Sequence, residues 1–238
     1  MTRIRLILLS MLAVFAASAI ASASASAAGC EKDTPEGTLP VFCSKGLADE
    51  DELGTTKVTS TGGIFKLEVT GEPSLECTAE TDEATINSTE TVAGTDSKVK
   101  IKFTGCTVKG NPKCTVQDSI NKTIGTIEPV LLKSKLKALG GKIYDVFAPE
   151  AGTTFVTVEV KNKGTETCVV KGTFKVEGEA CGLTSETLAK EAPLNSSKAI
   201  EEECKAAKKL ELGKKAAFLN GESKQKLASG EEWATVLT

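Results

Sequence analysis

The chain has 238 residues, a formal charge of −3 and no histidine. Arg3 and Arg5 are its only arginines, so the remainder sets 27 lysines against 32 acids, a formal charge of −5. Without histidine there is no Ser-His-Asp triad, Cys-His pair or histidine-bearing zinc or iron site. Without clustered positive charge or a guanidinium fork, nucleic-acid binding is not expected either.

Met1-Thr2-Arg3-Ile4-Arg5 is a short positive start, Leu6 to Ile20 an uncharged run of about fifteen residues, and Ala21 to Ala28 a string of small residues. This is the layout of a secretory signal peptide, expected over residues 1–28. A membrane anchor would need about 20 predominantly apolar residues. Ala25-Ser26-Ala27 and Ser26-Ala27-Ala28 both suit cleavage by signal peptidase. Ala27-Ala28-Gly29-Cys30 also resembles a lipoprotein box, but Ala27 stands where Leu is usual, and lipidation of Cys30 would strand one of eight cysteines. Cleavage leaves about 210 residues, enough for one or two domains with a real core.

Residues 29–62 are polar, with Pro35, Pro40 and the acidic run Asp49-Glu50-Asp51-Glu52. That run lacks the alternate-position spacing and glycine of a calcium loop, so it reads as solvated. From Gly63 the texture changes. Ile64 to Val69, Lys98 to Phe103, Val130 to Leu139, Thr153 to Lys161 and Val169 to Val176 alternate apolar and polar residues between turn residues. Period-2 alternation predicts antiparallel strands with one wet face. Ser185 to Leu210 breaks the pattern: Ala199 to Lys208 are good helix formers, Asn195, Ser196 or Ser197 is the expected cap, and Glu201 and Lys205 have i,i+4 spacing. Strand-like pieces return at Leu210 to Leu212, Ala216 to Leu219 and Lys226 to Leu237, with a hairpin turn predicted at Asn220-Gly221. Trp233, the only tryptophan, is expected in the core.

The fold expected is therefore all-β or mainly β, an antiparallel sandwich or barrel with a short helical or linker segment near 185–208. The domain plan is a signal peptide (1–28), a polar segment (29–62) and a β-rich domain (63–238), with a break admitted near 184–208. Cys30, Cys43, Cys77, Cys106, Cys114, Cys168, Cys181 and Cys204 are disulfide candidates, because an exported chain meets an oxidising compartment. The local pairs Cys106–Cys114, around Gly110-Asn111-Pro112, and Cys30–Cys43 are the ones expected, with the other four left open.

Glu76-Cys77-Thr78, Phe103-Thr104-Gly105-Cys106 and Lys113-Cys114-Thr115, followed by Cys168, Val170-Lys171-Gly172 and Gly230-Glu231-Glu232-Trp233, resemble a series found in a family of uncharacterised secreted actinobacterial proteins. The resemblance covers most of the chain after the signal. It implies an exported, cysteine-bearing bacterial protein and carries over no activity and no functional residues. In such a protein the Asn-x-Ser/Thr sites at Asn87, Asn121 and Asn195 are not expected to be glycosylated.

Serine-lysine chemistry does not require histidine, and Ser-x-x-Lys occurs at Ser97/Lys100, Ser119/Lys122, Ser134/Lys137 and Ser223/Lys226. That number is expected in a lysine-rich chain, and residues three apart on a strand face opposite ways. No catalytic, cofactor-binding or metal-binding residue is therefore assigned. The leading expectation is a secreted or cell-surface, non-enzymatic binding or structural module, with a cell-wall polymer or another envelope protein as partner. A lysine- and threonine-studded sheet face is the candidate contact. The alternatives are an extracellular carbohydrate-active hydrolase using paired carboxylates and a lipoprotein anchored at Cys30.

Overall fold

A computed structural model describes residues 39–44, 55–89 and 92–237. The expected signal peptide, Cys30 and the acidic run 49–52 lie outside the described residues. In chain order the strands begin with β1 (Pro40–Ser44), β2 (Thr55–Gly62), β3 (Phe65–Val69), β4 (Leu75–Cys77), β5 (Ala79–Thr89) and β6 (Val92–Thr104). They continue with β7 (Thr107–Val108), β8 (Cys114–Asp118), β9 (Thr126–Ile127), β10 (Leu132–Leu139), β11 (Lys142–Pro149) and β12 (Thr154–Asn162). The last are β13 (Gly172–Glu177), β14 (Ala180–Leu183), β15 (Ala192–Ser196), helix α1 (Lys198–Cys204), β16 (Glu211–Leu212), β17 (Lys215–Leu227) and β18 (Trp233–Leu237).

The structure is mainly β, and the central unit is the barrel of the two forms expected. Strands β15, β14, β11, β10, β6, β5, β2 and β17 neighbour one another in that order, and pairing of β17 back onto β15 closes an antiparallel ring. Closure leaves no unpaired edge among these eight strands. Alternation then decides what enters the barrel. Leu132, Ser134 and Leu136 of β10 are buried, while Lys133 and Lys135 point outward. An eight-stranded barrel is just wide enough for inward side chains to fill.

One end of the barrel is covered by a two-stranded sheet of β1 and β18. All five β1 residues are buried, and Phe42 packs on Trp233 with ring centroids 5.9 Å apart. Trp233 is 2% exposed, as expected of a core anchor, and its Nε1 donates to the Gln225 carbonyl at 3.3 Å. Residues 40–44 and 55–62, expected as a polar segment, thus supply an end cover and a barrel strand. The chain between 184 and 208, where the sequence admits a break, contributes barrel strand β15 as well as α1.

A second sheet grows from the first half of β17. On one side it continues through β16, β13, β12 and β8; on the other, through β3, β4 and β7. Strand β17 is therefore common to both sheets, with residues 215–220 in one and 221–227 in the other. This overturns the hairpin turn predicted at Asn220-Gly221. Asn220 Oδ1 accepts from the Lys198 amide at 2.9 Å, docking the start of α1. Gly221 runs straight on beneath the Phe65 ring, where a Cβ would stand 2.4 Å from Phe65 Cδ1. The glycine serves close approach, not a turn. Gly221→Ala is therefore expected to cost roughly 1–3 kcal/mol, seen as a lower urea midpoint; an unchanged midpoint would show that the Phe65 ring yields.

Helix α1 forms where propensity predicted it, with Ser197 Oγ accepting from the Ile200 amide as N-cap. It lies against the outside of the barrel beside Tyr144, Cys181 and Leu183. Lys137 Nζ donates to the carbonyls of Cys204 and Lys205, both at 2.7 Å, neutralising the helix C-terminus. The expected Glu201–Lys205 pair does not form. Glu201 turns inward to accept from the Cys181 amide at 3.1 Å, and Lys205 leaves the helix in a left-handed conformation.

Disulfides join Cys77 to Cys106, Cys114 to Cys168 and Cys181 to Cys204. The expected Cys106–Cys114 bridge is corrected: tertiary pairing sets Cys106 beside β4 and Cys114 opposite Asn162 on β12. Cys43 is also a disulfide cysteine, while its expected partner Cys30 lies outside the described residues.

Candidate functional site

Two kinds of interior meet where β17 crosses between the sheets. The space between the walls of the second sheet is apolar. A cavity of about 50 Å³ opens beside Glu72 and Pro73 and is walled by Leu67, Leu75, Val108, Val158, Val170 and Phe174, among others. A second, of about 40 Å³, shares Leu67, Leu75 and Val158 with it and continues inward. Phe65, Phe103, Phe155 and Leu219 separate this from a third cavity of about 30 Å³, which lies at the barrel and is bounded by Glu80, Asp82, Ser196 and Ser223. Phe65 and Phe103 pack with centroids 5.3 Å apart at that partition. Glu72 pairs with Lys215 at the outer rim.

Beyond the partition the barrel interior is acidic. Glu80 and Asp82 of β5, Asp96 of β6 and Asp145 of β11 are all buried, together with Ser60, Ser134, Ser223 and Gln225. Among the described residues no lysine is buried. Ser60 Oγ donates to Glu80 Oε1 at 3.0 Å, and Ser134 Oγ donates to Asp96 Oδ2 at 3.0 Å. One oxygen each of Asp82, Asp96 and Asp145 (Oδ1 in every case) is buried without a hydrogen-bond partner. Burial penalises the charged form first and neighbouring carboxylates add to it. Glu80 is pushed up to about 8 by burial and by Asp82, against the lowering effect of Ser60. Asp82 is pushed up to about 6, again chiefly by burial. Burial raises Asp96 and Asp145 too, and the two lie within hydrogen-bonding reach of each other, where both cannot be charged cheaply.

These acids were missed in the sequence because Asp and Glu ordinarily mark the wet face. The signal was their phase. Glu80, Asp82, Ala84 and Ile86 share one face of β5, and Ile143, Asp145 and Phe147 share one face of β11. None of the Ser-x-x-Lys pairs meets. Ser134 and Ser223 point into the barrel, whereas Lys137 caps α1 and Lys226 pairs with Glu191 outside. Ser97/Lys100 and Ser119/Lys122 share no hydrogen bond, and both lysines are exposed. The lysines expected on one face do point outward, from the adjacent strands β6 (Lys100 and Lys102) and β10 (Lys133 and Lys135), but the register staggers them: Lys135 stands opposite Thr95, Lys100 opposite Glu83, and Lys102 pairs with Glu128.

Among the described residues no group of three or more His, Cys, Asp or Glu is arranged to hold a metal ion, and no helix is long and apolar enough to cross a membrane. The molecule is thus a disulfide-bonded, barrel-centred β protein with apolar cavities leading to an acid-lined interior. Comparison with known proteins finds no matching family model, curated protein or solved structure.

Proposed function

We propose that the chain is an exported, non-enzymatic binding module of the cell surface or extracellular space, and that the apolar cavities of its second sheet receive an apolar ligand. The observation that carries this reading is the succession of adjoining cavities walled by aliphatic and aromatic side chains and reached beside Glu72 and Pro73. Ligand sites in proteins are mostly apolar concavities with a few placed polar groups. The signal-like start, the disulfides and the sequence resemblance support export. The outward lysines of β6 and β10 support an anionic wall polymer as a partner on the outer face. The carboxyls line a barrel interior instead of an open cleft beside an exposed aromatic, so the geometry does not favour a carbohydrate hydrolase.

A neutral apolar fluorophore such as N-phenyl-1-naphthylamine tests this. Binding with a micromolar dissociation constant is expected, weakened at least about tenfold by Val170→Trp at the rim, since a filled pocket excludes the probe. Val170 is only half-buried, so the variant is expected to keep the parent melting temperature. Absence of probe binding, or binding indifferent to Val170→Trp, would sink the reading.

A further inference from the structure

The third cavity is unlike the other two because its walls include carboxyls. Asp82 is 6% exposed, faces this cavity, and leaves Oδ1 without a partner. An acceptor buried in this way leaves a strong hydrogen bond unmade. The groups around it are carboxyls and hydroxyls: Glu80 beside it on β5, Ser60 on β2, Asp96 on β6, Asp145 on β11, Ser196 on β15 and Ser223 on β17. The serines can donate, but nothing here brings positive charge. No buried lysine reaches the barrel interior among the described residues, and the chain's two arginines are Arg3 and Arg5. The site therefore lacks a cationic hydrogen-bond donor, and a ligand can bring one. At about 30 Å³ the cavity has room for a water-sized group, which a primary ammonium is. The neighbouring apolar cavities share Phe65, Phe103, Phe155 and Leu219 with it as their partition.

We propose that Glu80 and Asp82 form the head-group site for a primary-ammonium amphiphile, its hydrocarbon tail lying in the adjoining apolar cavities. The proposal rests on the binding-module reading above. The ammonium donates to Asp82 Oδ1 and to the Glu80 carboxyl, and turning of the partition rings joins head and tail spaces. An anionic head would place charge among four acids. A hydroxyl head would satisfy one acceptor but bring no charge, so the order of affinity is amine, then alcohol, then carboxylate.

Calorimetric titration of the oxidised full-length protein with pentylammonium, pentanol and pentanoate, whose tails match cavities of about 50 and about 40 Å³, tests this. Pentylammonium is expected to bind at least about tenfold tighter than pentanoate, and methylammonium more weakly, since it lacks the tail. Asp82→Asn is expected to weaken pentylammonium roughly ten- to a hundredfold and to leave pentanol within about twofold. Glu83→Gln, which removes the same charge from the outer face of β5, is expected to change neither. Affinity for the amine should rise as the pH passes from below Asp82's value of about 6 to above Glu80's of about 8, because the acids ionise while the amine stays charged. Equal binding of amine and carboxylate, or indifference to Asp82→Asn, overturns the head-group site but leaves the apolar-ligand reading standing. If none of the three amphiphiles binds and the neutral fluorophore also fails, both readings fall.

Discussion

Raising the pH from about 5 to about 8.5 is expected to lower the melting temperature of this protein by roughly 6–12 °C, against the usual acid sensitivity of folded proteins. The sign follows from the buried acids. Glu80 and Asp82 hold their protons to about 8 and about 6 in the fold, and burial also raises Asp96 and Asp145. Unfolded, all four would ionise near pH ~4. Between those limits the folded state binds more protons, so stability falls as pH rises. The contribution is whole below the ordinary carboxyl range and gone above about 8. Glu201, pushed up to about 7 by burial behind α1, acts in the same direction. One carboxyl displaced by one pH unit is worth about 1.4 kcal/mol. Shared protons and residual solvation keep the net below the plain total, so the loss expected is roughly 3 kcal/mol, equivalent to 2–4 °C per kcal/mol at this size. Asp145→Asn is expected to flatten the dependence and to stabilise the protein most at high pH, because it removes a buried charge facing Asp96. Calorimetric melting across that range decides the matter: a melting temperature that holds level or climbs with pH would mean the barrel acids are solvated.

The second large effect concerns the bridge from Cys114 to Cys168, which closes 54 residues of chain. Loop-closure entropy for that length corresponds to roughly 4 kcal/mol, more than for the 29-residue Cys77–Cys106 or 23-residue Cys181–Cys204 separations. Cys114→Ser/Cys168→Ser is therefore expected to lower the melting temperature by roughly 8–16 °C. The bridge also has a local role. It ties the start of β8 to the segment that carries Val170 at the cavity rim. Loss of the bridge is expected to weaken apolar-probe binding even at temperatures where the variant is fully folded. Removing the Cys181–Cys204 bridge, which ties β14 to α1 and lines neither apolar cavity, should leave probe binding unchanged. Equal loss of binding in both variants would show that the rim is held by general stability instead of by this tie.

Both effects depend on residues that were visible in the sequence but whose partners were not. Alternation in Lys98 to Phe103 and Val130 to Leu139 identified β6 and β10 and told which side faced inward, because one face of each is wet. The rule identified neither β5 nor β11, where Asp82 and Asp145 sit in the apolar phase and mask the alternation. Helix formers and Ser197 located α1, but not that Glu201 would turn from Lys205 toward the Cys181 amide. Asn220-Gly221 carried a sound local turn signal, overridden by the Phe65 ring and by the docking of α1.

By itself the sequence determined the strand-rich class, the faces of a few strands such as β6 and β10, the place of the helix, the burial of Trp233 and the exclusion of histidine chemistry. These are short-range properties, set by the pleat, by intrinsic propensity and by composition. Only the tertiary structure decided that β17 serves two sheets, that Cys106 bonds Cys77 and Cys114 bonds Cys168, and that four acids share one barrel interior beside apolar cavities. Each of those depends on which distant segments pair, and pairing register is chosen by the packing of the whole core, which no local window of sequence contains.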